Sequence, residues 1–344
     1  MNYKKMNLLL RYTLLVWVGC FSGAGNAAGM EGIGAIFDDG TTVENRKPIP
    51  EFSIPARTPG THYVSFIALG DQGTGDSGQE HVARLMNDKA GKDPVDFVIT
   101  LGDNFYESGV TSIQDEQWIE KFETMYDLPN LGIAFYASLG NHDHVDGNAR
   151  HQVEYSEKSS KWVMPESYYS FSKRIDADSS VQFFALDTQL IGQRGDDHRA
   201  QLKWLERSLK ASTATWKIVF GHHPVFSYGE HGNQQRMIAL VRPLLEKYKV
   251  DVYVSGHDHD RQLLGPVRGV YYMVSGTGSE SRNTRYGART VFAASNLGFA
   301  WFRISATELH LQFIDTNGDV EYARTLTRAT VSKAPYPLTA VPAN

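Results

Sequence analysis

Cysteine is almost absent from this sequence. The 344 residues include a single cysteine, Cys20, which lies in an apolar run close to the N-terminus. If that run belongs to a leader that is removed, the mature chain has no thiol, and therefore neither a disulfide bond nor a cysteine nucleophile. Thiol chemistry is then excluded as the basis of an activity.

A strong excess of charge of either sign is also missing. Lys and Arg number 34 against 39 Asp and Glu, a formal net charge of −5, and no run of basic residues suggests a nucleic-acid partner. The apolar share of 41% and the charged share of 21% are typical of a soluble globular protein rather than a disordered or membrane-embedded one. A chain of this length can bury a large core, in one large domain or two ordinary ones.

The N-terminus has the composition of an export signal. Three basic residues precede an apolar run, residues 12–21, that is too short to span a bilayer comfortably. Small residues follow, and Gly25-Asn26-Ala27 offers a cleavage site. We predict a signal peptide over residues 1–27 and a periplasmic or secreted protein without membrane contact after cleavage. A membrane anchor and a buried helix are the alternatives.

Beyond the leader, we predict three stretches of different character. Residues 28–60 are rich in Gly, Pro and Thr without periodicity, which favours an extended arm. One catalytic domain is predicted over residues 61–326 and a tail over residues 327–344. Lipid anchoring through Cys20 is less favoured than a free mature protein, because Trp17 stands where a lipoprotein signal would have Leu.

Five apolar, strand-like runs in this chain each end in a set of polar residues. A lone pair of histidines such as His257 and His259 is a weak indication of function. The same design recurs, however, and the sets in chain order are Gly70-Asp71-Gln72-Gly73, Gly102-Asp103-Asn104-Phe105-Tyr106, Gly140-Asn141-His142-Asp143-His144, Gly221-His222-His223-Pro224 and Gly256-His257-Asp258-His259. This recurrence indicates one metal site.

The pattern of elements predicts an α/β fold. Strands alternate with helices over the first two thirds of the chain, which favours largely parallel or mixed sheets flanked by helices. Helices are predicted over residues 79–89, 199–210 and 233–248, residues 142–165 are predicted to be irregular, and only strands are predicted after residue 260, at 270–274, 299–304, 309–314 and 320–325. Ligands in such folds bind at the C-terminal ends of strands, where all five polar sets stand.

The residue types at these strand ends favour a pair of metal ions. They comprise carboxylates, one amide, one phenol and several imidazoles, and a set of oxygen and nitrogen ligands without sulfur favours hard or borderline first-row metals. The ligands are too many for one tetrahedral ion. They fit two ions that share a bridging carboxylate, spaced so that a phosphoryl group can lie across both.

The five sets, in this order, resemble the calcineurin-like metallophosphoesterase superfamily. The tyrosine in Gly102-Asp103-Asn104-Phe105-Tyr106 makes the chain similar to the purple acid phosphatases, in particular the short tartrate-resistant type of mammals. The resemblance runs from about residue 64 to residue 325. It implies a four-layer α/β/β/α sandwich of two mixed sheets flanked by helices.

The resemblance also implies a reaction and a ligand set. The expected activity is hydrolysis of small phosphate monoesters at acid pH, by direct in-line attack of a metal-bound hydroxide. One ion would be Fe(III), whose bond to the phenolate gives the purple colour, and the other a divalent Fe, Zn or Mn. The ferric ligands would be Asp71, Asp103, Tyr106 and His259, and the divalent ion would be held by Asp103, Asn141, His222 and His257, with Asp103 bridging.

The resemblance gives catalytic roles to two further histidines. His142 and His231 match the outer histidines of the family, which contact phosphate and protonate the leaving oxygen. The family has Tyr where this chain has His223, so that His222 is chosen as ligand by position and His223 receives a supporting or substrate-facing role. The segment 191–197 is also shorter than the repressive loop of the mammalian enzymes, and their disulfide is absent.

Three polar residues beside the ligands are expected to orient them. Metal-bound imidazoles usually donate their second N–H to a partner, and Asp143, His144 and Asp258 are placed for this in the sequence. Alternative functions are a phosphodiesterase or nucleotide pyrophosphatase of the same superfamily, and a phosphate-binding protein without turnover. We expect a small-molecule substrate, no nucleic-acid partner, and a monomer or weak oligomer.

Overall fold

The computed structural model describes residues 57–192 and 197–328. The predicted signal peptide, residues 1–27, lies outside the described residues, as do residues 28–56 of the predicted arm and 329–344 of the predicted tail. Within the described part of the chain, no helix has the length and apolar character needed to cross a membrane.

The described residues form fourteen strands and five α-helices. The strands are β1 (Val64–Leu69), β2 (Phe97–Leu101), β3 (Ala134–Ser138), β4 (Trp162–Val163), β5 (Tyr169–Arg174), β6 (Ser180–Ala185), β7 (Trp216–Phe220), β8 (Val252–Ser255), β9 (Arg261–Val267), β10 (Val270–Ser275), β11 (Thr290–Ala294), β12 (Phe299–Ile304), β13 (Glu308–Ile314) and β14 (Val320–Thr327). The helices are α1 (Ser77–Lys92), α2 (Arg150–Glu154), α3 (Thr188–Gly192), α4 (Asp197–Ala211) and α5 (Arg242–Lys247).

The strands form two seven-stranded sheets, both of them mixed. The first has the order β14-β13-β12-β1-β2-β3-β4 and the second the order β11-β9-β10-β8-β7-β6-β5. In the first sheet β1, β2, β3 and β4 run parallel, and in the second β6, β7, β8 and β10 do. The remaining pairs are antiparallel.

The two sheets pack face to face and carry helices on their outer faces. Phe66 of β1 meets Phe183 of β6 edge-on, with ring centroids 5.2 Å apart, and both are fully buried in one large core. A second core contains Leu205 and Leu209 of α4 packed with Val219 of β7. These layers confirm the predicted four-layer α/β/β/α sandwich, in which each buried Leu or Phe side chain contributes roughly 1.5–3 kcal/mol.

The structure refines one predicted helix and corrects one predicted irregular stretch. The helix predicted over residues 233–248 is confirmed as a continuous helical stretch over residues 235–247, in which a π-helical turn, Met237–Val241, leads directly into α5. Pro243 falls inside that prediction, and it has no N–H to continue a helical ladder, so the chain changes its hydrogen-bond pattern there. The stretch 142–165, predicted to be irregular, contains α2 and β4.

Two strands beyond residue 260 were missing from the prediction. They are β9 and β11, which pair with each other in the second sheet. β9 begins with buried Arg261 and Gln262 and ends near Gly265 and Pro266, a composition that resembles a loop. Arg261 is tolerated in the interior because its guanidinium lies 2.7 Å from Glu321 and donates to the Ile314 carbonyl at 2.7 Å.

Candidate metal centre

The five predicted strand ends meet at one edge of the sandwich. β1, β2 and β3 of the first sheet and β7 and β8 of the second all end there, because each is parallel to its neighbour. The two sheets are also joined at this edge: Gly70 N–H donates to the Ser275 carbonyl at 2.8 Å, and His222 Nδ1 lies 2.9 Å from the Leu101 carbonyl. Side chains from both sheets therefore face one small volume.

The backbone at these strand ends is strained where the predicted ligands stand. Asp71, Asp103 and His257 have φ of 59°, 51° and 71°, and they are three of the six non-glycine residues with positive φ in residues 57–192 and 197–328. Such values are rare outside glycine and cluster at functional sites. Strain at these positions turns the side chains into the space between the sheets.

Glycines beside the ligands allow the two sheets to approach. Gly102 has φ of +86°, and a Cβ there would lie 2.8 Å from the Cβ of His222. A Cβ at Gly256 would lie 2.4 Å from Asp71 Oδ2. Any side chain at either position would push the second sheet away from the carboxylates.

One group of donors surrounds the Tyr106 hydroxyl. Its oxygen lies 3.2 Å from Asp71 Oδ1, 3.1 Å from Asp103 Oδ2 and 3.1 Å from His259 Nε2. Ligands held about 2.0–2.2 Å from one ion are separated from one another by about 3 Å. This group therefore has the spacing of a metal site with three oxygen donors and one nitrogen donor.

A second group surrounds Nε2 of His222. That atom lies 2.9 Å from Asn141 Oδ1, 3.1 Å from His257 Nδ1 and 3.3 Å from Asp103 Oδ2. The carboxylate oxygen Asp103 Oδ2 thus belongs to both groups. Such sharing is the arrangement that a bridging carboxylate between two ions requires.

The tautomer of His222 is set by the first sheet. Its Nδ1 lies 2.9 Å from the Leu101 carbonyl oxygen, and a carbonyl only accepts hydrogen bonds. Nδ1 therefore carries a hydrogen, and Nε2 is the atom that faces the second group and can present a lone pair to it when the ring is neutral. This is the second-partner interaction that usually orients a metal-bound imidazole.

Buried negative charge makes the centre suited to cations. Burial, and then the charge of Asp103, raise the pKa of Asp71 well above its usual range. Burial and then Asp71 and Asp103 also raise the pKa of the Tyr106 phenol. Burial opposes ionisation of Asp103 as well, yet the nearby His222 holds the pKa of that carboxyl at about 2. Bound cations would relieve this repulsion and favour the phenolate.

Comparison with known proteins agrees with this geometry. The model of the calcineurin-like phosphoesterase family matches residues 62–261. Tartrate-resistant acid phosphatase type 5 of Sus scrofa is 33% identical over 309 residues, which cover 80% of this chain and 91% of that protein. Purple acid phosphatase 17 of Arabidopsis thaliana is 31% identical, over 83% of this chain and 90% of its own length.

The chain belongs to the purple acid phosphatases. It is therefore a calcineurin-like phosphoesterase, as the resemblance of its motifs implied. Among solved structures, GAP50, described as the anchor in the inner membrane complex of Plasmodium, is similar with a TM-score of 0.72 and 24% identity over 78% of this chain and 90% of that one. The purple acid phosphatase PPD1 of yellow lupin (Lupinus luteus) gives 0.62 and 16%, over 78% and 55%. Both likenesses show the fold.

The two outer histidines of this purple acid phosphatase flank the centre from opposite sides. The ring of His142 lies 4.6 Å from that of Tyr106, and its Nδ1 lies 2.7 Å from the Glu107 carbonyl, so Nδ1 carries the hydrogen. His231 stacks on His257 with centroids 4.3 Å apart. The other ring nitrogen of His142, Nε2, does not take part in that contact.

The two histidines with predicted supporting roles lie together on one flank. The rings of His223 and His257 are 4.5 Å apart, and His223 Nδ1 lies 2.9 Å from Thr188 Oγ1. His223, His222 and His257 also form a group whose donor atoms all lie within 4.8 Å of one another. His144 pairs through Nε2 with the buried carboxylate of Asp187 at 3.0 Å.

The two acidic residues expected beside the imidazoles instead fix loops. The Asp143 carboxylate accepts from the backbone N–H of Asn104 at 3.0 Å and of Gly140 at 2.8 Å. Asp258 accepts from the backbone N–H of His231 at 2.7 Å and from the Ser227 hydroxyl. Asp143 thus holds the backbone of two ligand loops and Asp258 holds that of the outer histidine, and both also accept from side chains, those of Gln152 and Ser227.

Asn104 is a buried residue of the purple acid phosphatase centre that was not predicted from the sequence. Its side-chain NH2 donates to the Ser138 carbonyl at 2.8 Å and to Gln152 at 3.0 Å, while its Oδ1 accepts from Gln72 at 3.0 Å. It therefore connects three of the strand-end loops. Its place directly after Asp103 was the indication in the sequence.

Proposed function

We propose that this chain is a binuclear-metal acid phosphatase that hydrolyses small phosphate monoesters by direct attack on phosphorus. Family membership makes it a phosphoric monoester hydrolase. The observation that supports the metal pair is the position of Asp103 Oδ2, 3.1 Å from Tyr106 Oη and 3.3 Å from His222 Nε2.

The donor groups favour two different ions. Asp71, Asp103, Tyr106 and His259 would hold Fe(III), which prefers hard oxygen donors, and Asp103, Asn141, His222 and His257 would hold a divalent Fe, Zn or Mn. When bound, such a pair supplies a nucleophile near neutral pH and stabilises the charge of an in-line displacement.

The imidazoles at the rim complete the proposed site. In its protonated form His142 would donate from Nε2 to the phosphoryl group or the leaving oxygen, since its Nδ1–H is held by the Glu107 carbonyl. His231, stacked on His257, would bind the phosphate from the other side. His223, Asp143, His144 and Asp258 would support these groups or face the substrate.

Metal content and the visible spectrum test this proposal. The mature protein is expected to hold about two metals per chain, one of them iron, and to show a phenolate-to-iron band. Tyr106→Phe should lose the band, whereas Tyr248→Phe, a matched change beside α4, should keep it. Two metals without iron would contradict the ferric assignment, and a folded chain that takes up no metal would contradict the mechanism.

Substrate choice is tested with two p-nitrophenyl esters. The monoester should be cleaved much faster than bis-p-nitrophenyl phosphate. In the diester, the second ester group occupies one of the phosphate oxygens that would otherwise contact the two ions. Faster cleavage of the diester would support the phosphodiesterase alternative instead.

Export is a separate part of the proposal. The apolar run 12–21 and the small residues 25–27 support cleavage after residue 27. Expression of the full chain should yield a periplasmic or secreted protein whose N-terminal sequence begins at residue 28. Recovery of the uncleaved chain from membranes would contradict this.

A further inference from the structure

Lys121 lies outside the metal centre but contacts the segment that carries one of its ligands. It belongs to a π-helical turn, Ile119–Glu123, in which the Thr124 N–H donates to the Ile119 carbonyl at 2.9 Å. Such turns are rare and occur frequently at functional sites. Nζ of Lys121 donates to the backbone carbonyl of Tyr106. A cation therefore holds the backbone of the residue whose hydroxyl is surrounded by the first group of donors.

The side chain of Lys121 is itself held in place by its neighbours. Gln117 Oε1, four residues earlier, accepts from Nζ at 2.9 Å. The aliphatic stem runs past Gly75, where a Cβ would lie 3.0 Å from Lys121 Cγ. The Lys121 carbonyl accepts from Gln79 Nε2 at 2.8 Å, and Gln79 Oε1 accepts from the Gly75 N–H at 2.8 Å. Lys121 is thus half-buried and makes directed contacts, unlike a solvated surface charge.

These contacts join the loops of two predicted ligands. Gly75 belongs to the loop that follows Asp71, and the Tyr106 N–H donates to the Gly73 carbonyl of the same loop at 2.9 Å. The backbone of Tyr106 is therefore held twice, through its N–H by the Asp71 loop and through its carbonyl by Lys121. Both contacts fix the residue whose phenol oxygen lies 3.2 Å from Asp71 Oδ1.

The next carbonyl along the chain contacts an outer histidine. Glu107 follows Tyr106 directly, and its carbonyl oxygen lies 2.7 Å from His142 Nδ1. The ring of His142 also lies 4.6 Å from that of Tyr106. Of two successive carbonyls, one therefore accepts from Lys121 and the other holds His142. A shift of this segment would move the phenol and the histidine together.

We propose that Lys121 is a positioning residue of the centre, which fixes the phenol of Tyr106 and the ring of His142 through the backbone of residues 106–107. The inference rests on the proposed function, because it takes Tyr106 as a ligand of the ferric ion. A hydrogen bond from an ammonium group is stronger than one between neutral groups. Its loss should therefore weaken iron binding. The donors around His222 Nε2 do not include Tyr106, so the divalent ion should be retained.

Two lysines of the same neighbourhood provide a matched pair for the test. Lys121→Met keeps an aliphatic stem beside Gly75 and removes the donor. Lys161→Met is the control, because Lys161 is also half-buried and its Nζ donates to another backbone carbonyl, that of Glu123, at 2.9 Å. Lys121→Arg retains a cationic donor and is the conservative variant.

Iron binding and the visible spectrum are the first readouts. In Lys121→Met, iron affinity should fall by about 10- to 100-fold, the range for groups behind metal ligands, and the phenolate-to-iron band should shift. A variant that was merely less stable would keep the wild-type band once loaded with iron. Lys121→Arg should recover part of the affinity, and Lys161→Met should match wild type in both readouts. With iron in excess, kcat of Lys121→Met should remain about tenfold lower, because His142 is no longer held.

Amide hydrogen exchange in the protein as purified gives a readout that does not depend on iron. Exchange in the peptide covering residues 102–109 should be about tenfold faster in Lys121→Met than in wild type, and unchanged in Lys161→Met. An unmoved band in Lys121→Met, or an equal shift in Lys161→Met, would overturn the inference. A wild-type protein without iron would contradict the ferric assignment instead. Exchange would then decide the role of Lys121, and equal rates in all variants would overturn it.

Discussion

The two sheets contribute different chemistry to the centre. The strand ends of the first sheet supply oxygen donors, from Asp71, Asp103, Tyr106 and Asn141, whereas those of the second supply the imidazoles of His222, His257 and His259. Each donor group nevertheless mixes the two, because His259 joins the oxygen-rich group and Asp103 the nitrogen-rich one. Bound ions would therefore hold the two sheets together, and loading should stabilise the whole fold.

The two sides also differ in charge. Burial together with neighbouring acid raises the pKa of Asp71, so the oxygen side is electrostatically unfavourable without cations. Within the same oxygen-rich group, burial and then Arg282 lower the pKa of the His259 imidazole to about 4. Metal-binding imidazoles must be neutral, and this imidazole stays neutral well into the acid range.

The largest effect is expected from removing the atom that both sides share. Asp103→Ala should lose both ions and reduce phosphatase activity by at least about 100-fold, since even groups behind metal ligands cost about 10–100-fold when lost. Metal analysis and rate measurement check this. Asp88→Asn, an exposed change on α1, should affect neither, and an Asp103→Ala protein with both metals would show that the two groups are independent.

The adjacent histidines of the second sheet provide a sharper comparison. His222→Ala should lower the metal content from about two to about one per chain and reduce activity by about 100-fold, because Nε2 of His222 lies among three other donors. His223→Ala should retain both metals, since its Nδ1 is occupied with Thr188. Metal loss in the His223 variant alone would contradict this assignment, because it would make His223 the ligand in place of His222.

Asp71→Asn is expected to have a smaller effect on stability, which has opposite signs in the metal-free and the metal-bound protein. Without metals the variant should be more stable than wild type by about 1 kcal/mol, because it removes one of two buried carboxylates that repel each other and keeps an acceptor oxygen. With metals it should be less stable, because a charged ligand is lost. Urea unfolding with and without chelator measures both differences, and a variant that is less stable in both states would show that carboxylate repulsion is unimportant.

Structural features that depend only on residues close together in the chain could be predicted from the sequence. The strand ends at Asp71, Asp103 and His257 were predictable because an apolar run followed by Gly and a polar residue is local and characteristic. The common C-terminal edge followed from parallel strand order. The same local features therefore predict both the fold and the edge of it at which the ligands meet.

Features that depend on distant partners could not be predicted in this way. β9 begins with Arg261, whose burial makes sense only with Glu321, sixty residues away, beside it. Asp143 and Asp258 were expected to face imidazoles, yet both accept from backbone N–H groups of other loops. The partner of His144 is likewise distant in the sequence, since Asp187 lies 43 residues further along the chain.

The smallest effect is expected from the loop that carries the outer histidine His231 on the nitrogen side of the centre. Asp258 accepts from the backbone N–H of His231 at 2.7 Å and from the Ser227 hydroxyl, so it fixes the loop that places His231 over His257. Asp258→Ala should lower kcat by about tenfold and leave metal content unchanged, as expected for a group that acts through a neighbour. Asp258→Asn retains an acceptor oxygen for the His231 N–H and should recover part of that loss. If both variants lost metal as well, Asp258 would be supporting the ligands His257 and His259 instead. The loss of activity could then not be assigned to the position of His231.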